Sequence, residues 1–380
     1  MRRNPVLDEL GAYAIADLQE RAMAMRAAGE PVIDFSIGDP REPTPEFIKE
    51  ELRAALPVVS QYPTVSGLPE LRRAAAGYVA RRFGVDVDPD TQVLPTSGSK
   101  EAVFTSHLAL VDRAAGDAVV IGTPGYPIFE RGARFSGAET IPIRLGGDFI
   151  LRAADVPGEA WERASMLWAC SPHNPAGSVT GLDDMADLVA ACRRHGVVLF
   201  SDECYADLYE AEPPPSVLQA AGPDAAGVVS LHSLSKRSGM TGYRSGFIVG
   251  DREVISALRQ LRVSIGVAPA EFVQTAAVAA WSDDAHVAER RAIFSRKRAV
   301  LRDAFEGMGN EVVGSEAGIY LWIRVGDDVA VTGTLLSAGV VVSPGRAFGA
   351  GGEGYLRLAL VPTVEECERA VEVVRRCLGS

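Results

Sequence analysis

Lysine is scarce in this chain. Lysine and arginine together number 38, yet only Lys49, Lys100, Lys236 and Lys297 are lysines, leaving 38 − 4 = 34 arginines. Where a position needs only positive charge, the sequence uses arginine. A retained lysine therefore draws attention to its primary amine, which can form an imine and shuttle a proton. Lys49 in EFIKEELRAAL and Lys297 in FSRKRAVLRDAF read as solvated helix positions. Other shortages exclude whole classes. The five cysteines, Cys170, Cys192, Cys204, Cys367 and Cys377, are odd in number and show no paired spacing. They read as reduced thiols, which fits a cytoplasmic setting. The five histidines lack metal-ligand spacing, so no metal is expected, and His195 reads as a helix C-terminal charge. No G-x-S-x-G is present, which argues against a hydrolase elbow. No run of about 18 apolar residues occurs, so no membrane span is expected. Acids follow the opening MRRN where a signal peptide needs its apolar region. The net charge of −12 leaves no general basic face for nucleic acid.

What is present suits a globular α/β protein. With 380 residues, 47% apolar and 23% charged, the chain can bury a sizeable core and predicts two domains. AVVIGTP (118–124), SMLWACSP (165–172), GVVLFSDE (196–203), GVVSLHS (227–233) and RSGFIVG (244–250) read as strands. They lack strict alternation, as strands covered on both faces do. Between them GLDDMADLVAACRRHG (181–196) has an acidic first turn, a basic last turn and Gly196 at the stop. Repeated strand–helix–strand units predict a mainly parallel sheet with helices on both faces. A helical pattern spans residues 8–28. From about Val267 the chain turns helical, then gives GIYLWIRV, GVVVSPGRAFG and GYLRLALVP before a last helix, an α+β pattern to which the N-terminal segment can add.

The predicted strands end in polar or glycine-rich residues, and in open α/β sheets ligands sit beyond those carboxyl ends. The tips supply Tyr126, Asn174, Asp202, Tyr205, Ser233, Ser235 and Lys236. An amine, a carboxylate, a phenol, an amide, hydroxyls and an aromatic ring suit a flat, anionic, nitrogen-containing ring system. Each part also has a plainer reading. PTSGSKEAVF (95–104) is a turn into a helix beginning near Ser99, whose free amides with Ser97, Ser99 and Lys100 suit a phosphate. Taken alone, it reads more readily as an ordinary N-cap. Asp202 closes an apolar strand and needs a partner there, whether a protonated ring nitrogen or a structural cation. GAGGEG (349–354) matches G-x-G-x-x-G, but strand-like YLRLAL follows it where a dinucleotide site needs a helix.

SLSKRSGMTGYRSGFIVG (233–250) resembles the lysine segment of the fold-type I aminotransferases, which bind pyridoxal 5′-phosphate. SIGDP, YPTVSGLPELR, TSGSKEA, PGYP, NPAG, SDECYADLY, SLSK, PGRAFG and YLRLAL follow in the family's order along nearly the whole chain. CSPHNPAG, DECYADLY and SLSKRS look most like N-succinyldiaminopimelate aminotransferases, with LL-diaminopimelate, aspartate and aromatic aminotransferases as more distant relatives. The resemblance implies a large cofactor domain at 46–280, with a mainly parallel seven-stranded-type sheet, and a small α+β domain from 1–45 and 281–380. It implies that Lys236 holds the cofactor aldehyde as an imine and later moves the Cα proton. Asp202 would pair with the pyridine nitrogen, and Tyr205 and Asn174 would meet the ring oxygen. Tyr126 would stack on the ring; Ser99, Lys100, Ser233, Ser235 and Arg244 would hold the phosphate. Tyr62 would reach the phosphate of a neighbouring subunit, which implies a homodimer. Arg357 and the Gly38 amide would take the substrate α-carboxylate, and Arg346 is the candidate for a distal carboxylate. Ala176 stands where the family commonly has threonine in NPTG. The implied reaction is reversible amino transfer from N-succinyl-LL-2,6-diaminopimelate to 2-oxoglutarate, in lysine biosynthesis. Transfer from aspartate, aromatic or other amino acids, or carbon–sulfur lysis on the same fold, are the alternatives. A transcription regulator built on this fold would need a DNA-binding domain ahead of it, which the short N-terminal segment and the acidic charge argue against.

Overall fold

A computed structural model describes residues 2–10 and 15–379. The N-terminal helical pattern appears as Val6–Glu9 and Ala16–Ala27, and the expected span between them falls partly outside the described residues. The first strand, β1 (Ile33–Asp34), waits for a partner much later in the chain. Next come β2 (Val93–Thr96), β3 (Ala118–Thr123), β4 (Glu139–Arg144), β5 (Ala164–Cys170), β6 (Val198–Asp202), β7 (Val228–Ser233) and β8 (Gly246–Gly250). They form one seven-stranded sheet in the order β2-β8-β7-β6-β5-β3-β4. The pairings from β4 through β7 are parallel, while β8 runs antiparallel to both β7 and β2. The reversal has a simple cause: β8 follows β7 without a long crossover helix, as a parallel return would require. Both β2 and β4 went unrecognised in the sequence, the first because VLPT is short and contains proline.

Helices cover both faces, which is why every residue of β7 and β8 is buried. Leu182–His195 shows the local logic. Asp183 and Asp184 lie in its first turn, Arg193, Arg194 and His195 in its last, and Gly196 ends it at φ 70°. The His195 ring also stacks on Trp161. After the long helix Ala285–Gly307 come β9 (Val312–Val313), β10 (Tyr320–Arg324), β11 (Val340–Val341), β12 (Ser343–Pro344) and β13 (Tyr355–Ala359). Four of them make a small antiparallel sheet, β12-β13-β10-β9, while β11 pairs in parallel with β1. The N-terminal segment thus joins the C-terminal unit, whose own apolar cluster includes Phe294, Phe305, Leu321 and Leu358.

One expectation fails here. Lys297 is not solvated but 0% exposed. Its Nζ is held by the Glu42 carboxylate and donates to the Leu360 carbonyl at 3.2 Å. The helix pattern showed two basic neighbours and no obvious apolar face, so the partner acid, far away in sequence, was invisible. Among the described residues no helix is long and apolar enough to cross a membrane, and all five cysteines are free.

Candidate active site

Register brings the strand tips together. Cys170 lies opposite Asp202, and Asp202 opposite Leu231, so β5, β6 and β7 end at nearly one level. The chain reverses its direction across the sheet between β3 and β5, the switch point where α/β sheets open a crevice. A cleft of about 260 Å³ lies there. It is lined by Gly38, Ser99, Lys100, Tyr126, Asn174, Asp202, Tyr205, Ser233, Ser235, Lys236, Arg244 and Arg357. Ser36, Cys204, Tyr320 and Phe348 line it too, and sequence reasoning had not selected them. Tyr320 sits in the middle of GIYLWIRV, where it reads as an ordinary strand aromatic.

Lys236 lies in the one-turn helix Leu234–Arg237 just past β7. Its amine contacts the Gly38 carbonyl, and burial draws its pKa down from 10.5 to about 8. Close packing fixes Gly38 itself, since a Cβ there would collide with the Tyr320 hydroxyl. That hydroxyl lies 2.9 Å from the hydroxyl of Tyr205, and burial keeps the Tyr205 phenol protonated well above its ordinary range.

Opposite signs of charge are left uncompensated in the cleft. Asp202 is 6% exposed, and among the described residues its carboxylate is met only by Cys204, through its N–H at 3.2 Å and its thiol. No cationic side chain pairs with it among the described residues, and burial pushes its pKa up against the partial relief from Cys204. Arg357 is also 6% exposed. Its Nη1 donates to Asn174 Oδ1 at 3.0 Å and its Nη2 to the Ser36 carbonyl at 2.7 Å, while its Nε has no partner. The guanidinium lies over the rings of Tyr320 and Phe348, and no carboxylate meets it among the described residues. A buried anion and a buried cation without ionic partners are costly, so the site suits a ligand that brings both charges.

At the other end of the cleft the helix Ser99–Leu110 begins, capped not by a serine side chain but by Gly98 at φ 79°. A Cβ at Gly98 would strike the Arg244 guanidinium, so glycine lets the arginine lie against the helix start. Ser233 and Ser235 are buried beside them. Helix amides, hydroxyls and a guanidinium make a phosphate-type cradle.

Two expected residues stand outside the cleft. Tyr62 is 100% exposed, in a segment where Leu56, Val58 and Val59 are exposed as well. Arg346 lines a neighbouring cavity of about 410 Å³. Its Nε and Nη2 grip the Asp328 carboxylate at 3.0 and 2.7 Å, so two sides of its fork are already engaged. In this placement Arg346 neutralises a buried aspartate from outside the cleft that holds Lys236.

The sequence model of the family aminotransferase class I and II matches residues 30–374. The chain belongs to this family. Aminotransferases of this class use pyridoxal 5′-phosphate, and the donor set fits it: a carboxylate lacking a cation, a cradle for phosphate and a depressed lysine amine. LL-diaminopimelate aminotransferase 2 of Trichormus variabilis is 35% identical over 96% of both chains. A crystal structure of an aminotransferase from Neisseria meningitidis superimposes with a TM-score of 0.92 at 33% identity, covering 99% of this chain and 100% of that one. A probable N-succinyldiaminopimelate aminotransferase from Thermus thermophilus superimposes with a TM-score of 0.90 at 30% identity, over 96% and 100%. Both the LL-diaminopimelate and the N-succinyldiaminopimelate enzymes thus stand among the relatives.

Proposed function

We propose that this aminotransferase moves an amino group between a diaminopimelate-type amino acid and 2-oxoglutarate, in the cytoplasm and as a step of lysine biosynthesis. The observation that carries the reading is the pair of unmatched buried charges, Asp202 and Arg357, on the walls of the cleft that holds Lys236. The cofactor, when bound, supplies the electron sink for ionising the substrate Cα–H. Asp202 holds a negative charge where a protonated ring nitrogen satisfies it. Tyr205 and Asn174 offer a phenol O–H and an amide to the ring oxygen. Tyr126 would pack on the ring face, and Ser99, Lys100, Ser233, Ser235 and Arg244 would hold the phosphate.

Arg357 grips the substrate α-carboxylate with a planar fork, and the Gly38 amide assists. Fixing that group fixes Cα–H relative to the Lys236 amine, which takes the proton and returns it. A lysine with its pKa near 8 has a substantial neutral fraction at physiological pH, as a general base needs. The division into a large domain at 46–280 and a small one from both termini is part of this reading. So is a homodimer in which the exposed Tyr62 reaches a neighbouring subunit's phosphate site.

Whether the distal amine is free or succinylated is decided by a donor panel with 2-oxoglutarate, scored by glutamate formation. LL-diaminopimelate, N-succinyl-LL-diaminopimelate, aspartate, phenylalanine and cystathionine make the panel. Selective turnover of either diaminopimelate form supports the reading and names the substrate. A preference for aspartate or phenylalanine, or pyruvate and ammonia from cystathionine, overturns it.

A further inference from the structure

We propose a second anion site, for a phosphate-class dianion, in the cleft between the end of the helix Pro69–Phe83 and the start of the helix Ala285–Gly307. The cleft encloses about 190 Å³ and is separate from the one that holds Lys236. Four guanidinium groups line it, those of Arg81, Arg82, Arg237 and Arg291, against two carboxylates, Asp207 and Asp284. Formal charge there is therefore four minus two, a surplus of two positive charges in a chain whose net charge is −12.

The pairings show where the surplus sits. Asp207 accepts from Arg82 Nε at 3.1 Å and Arg237 Nε at 2.8 Å. Asp284 accepts from Arg81 Nε at 3.1 Å and Arg237 Nη2 at 2.6 Å. Each carboxylate thus serves two arginines, and Arg237 uses all three of its nitrogens on protein acceptors. Among the described residues Arg291 forms no ion pair; its guanidinium lies 4.2 Å from the Tyr209 ring centroid. Arg81 and Arg82 each use Nε and Nη2 and, among the described residues, donate nothing from Nη1. Arg82 does so although its side chain is only 17% exposed. Arg81, Arg82 and Arg291 thus bring spare donor capacity to the lining of a small concave space.

Planar guanidinium forks match tetrahedral oxyanions, and a surplus of two charges matches a dianion better than a single carboxylate. The volume admits a phosphate group, with any further moiety left outside. Arg81 and Arg82 belong to the part built on the large sheet, whereas Arg291 rides on the long helix that leads into the C-terminal unit. A bound dianion therefore ties the two parts together and restrains their relative motion. It also lies against Arg237, the neighbour of Lys236.

The test uses holoenzyme and inorganic phosphate against chloride at matched ionic strength, read by calorimetric titration and by thermal melting. Visible absorbance of the cofactor is followed alongside, so that loss of cofactor is seen. The expected result is saturable binding, a melting point raised by several degrees and unchanged absorbance. Arg291→Gln should bind phosphate about tenfold more weakly and keep wild-type basal turnover. Arg81→Gln, on the other wall, should do the same and guards against a folding defect in the first variant. No saturable binding would overturn the proposal. Binding unchanged in both variants, or accompanied by loss of cofactor absorbance, would also overturn it by placing phosphate elsewhere.

Discussion

Asp202 ends β6 and Asp207 follows on the segment that leaves it; both are buried, and their surroundings are opposite. Asp207 is clamped by Arg237, Arg82 and the Tyr78 hydroxyl at 2.8, 3.1 and 3.0 Å. Burial alone would raise its pKa, but Arg237 and Arg82 overcome that and hold it below the usual range. Asp202 has only the thiol and N–H of Cys204, and burial prevails. Lys297 and Lys236 repeat the contrast. The first is sealed against a carboxylate, while the second is left with the Gly38 carbonyl and a depressed pKa. The fold satisfies its structural charges internally and leaves those of the cleft to a ligand. An unmatched buried charge marks the site more sharply than charge or burial alone.

The lysines give the largest expected effect. Lys236→Arg keeps the charge but has no primary amine, and turnover should disappear while the melting point barely moves. Lys297→Met strands Glu42 and should cost about 3–5 kcal/mol of stability, seen in urea unfolding, with the surviving folded enzyme still active. Equal loss of activity in both variants would erase the contrast.

The aspartates come next. Asp202→Asn should lower kcat by about a hundredfold or more, because a neutral amide cannot hold a ring nitrogen's proton. In the cofactor-free protein the same change should not destabilise. The folded-state pKa of Asp202 lies above its unfolded value of about 3.8, so the native state keeps a proton that the unfolded chain releases. Its contribution to stability therefore falls as pH rises through that window, and the asparagine variant gains relative to wild type toward neutral pH. Asp207→Asn has the reverse sign. A depressed folded pKa contributes stability above the unfolded value and loses it as pH falls through the folded one. Removing that carboxylate should cost about 3–5 kcal/mol at neutral pH, because Arg237 and Arg82 lose their shared anion. Thermal melts of the cofactor-free variants test both signs, from pH 4 to pH 8 for Asp202→Asn and from pH 2 to pH 5 for Asp207→Asn; curves parallel to wild type would refute them.

A smaller, purely chemical difference separates the partly buried amine of Lys236 from the enclosed amine of Lys297. In cofactor-free protein, labelling of Lys236 by a water-soluble acylating reagent should rise with pH and reach half its plateau near pH 8, where its neutral amine is half populated. Lys297, fully enclosed, should stay unlabelled until the protein unfolds. Mass spectrometry of the peptides reads both, and a Lys236 midpoint near 10.5 would show that burial does not act on it.

How far the sequence reveals this depends on the range of the interaction. Strand and helix positions such as β7 and Leu182–His195 were legible because apolar runs, first-turn acids and Gly196 are local signals. Lys236 stood out by the scarcity of its residue type, and Asp202 by closing an apolar strand. Tyr320 and Phe348 could not be found this way, since only tertiary packing carries them under Arg357. Lys297 was misread for the same reason, its acid Glu42 being 255 positions away. The single reversed strand, β8, follows from topology, which periodicity does not encode.

The smallest expected effects lie with two arginines of the C-terminal unit, which sharpen the contrast at the substrate end. Arg357 is buried with no anion, whereas Arg346 is 52% exposed in its side chain and grips Asp328, whose own side chain is 0% exposed. Arg357→Lys keeps a charge but replaces a fork with a point donor, so kcat/KM should fall about 10–100-fold for amino acid and oxo acid alike, because both carry the α-carboxylate. The absorbance of the bound cofactor should be unchanged, since Arg357 is not among the groups assigned to hold it. Arg346→Ala should behave differently on every count. It leaves Asp328 with backbone donors from Gly354 and residue 346, so the melting point should drop slightly. Activity should then change by one common factor for aspartate, alanine and diaminopimelate-type donors. If Arg346→Ala instead penalised only donors with a distal carboxylate, its free Nη1 would be reading substrate after all. If Arg357→Lys left both half-reactions intact, the buried guanidinium would be balanced by something other than substrate.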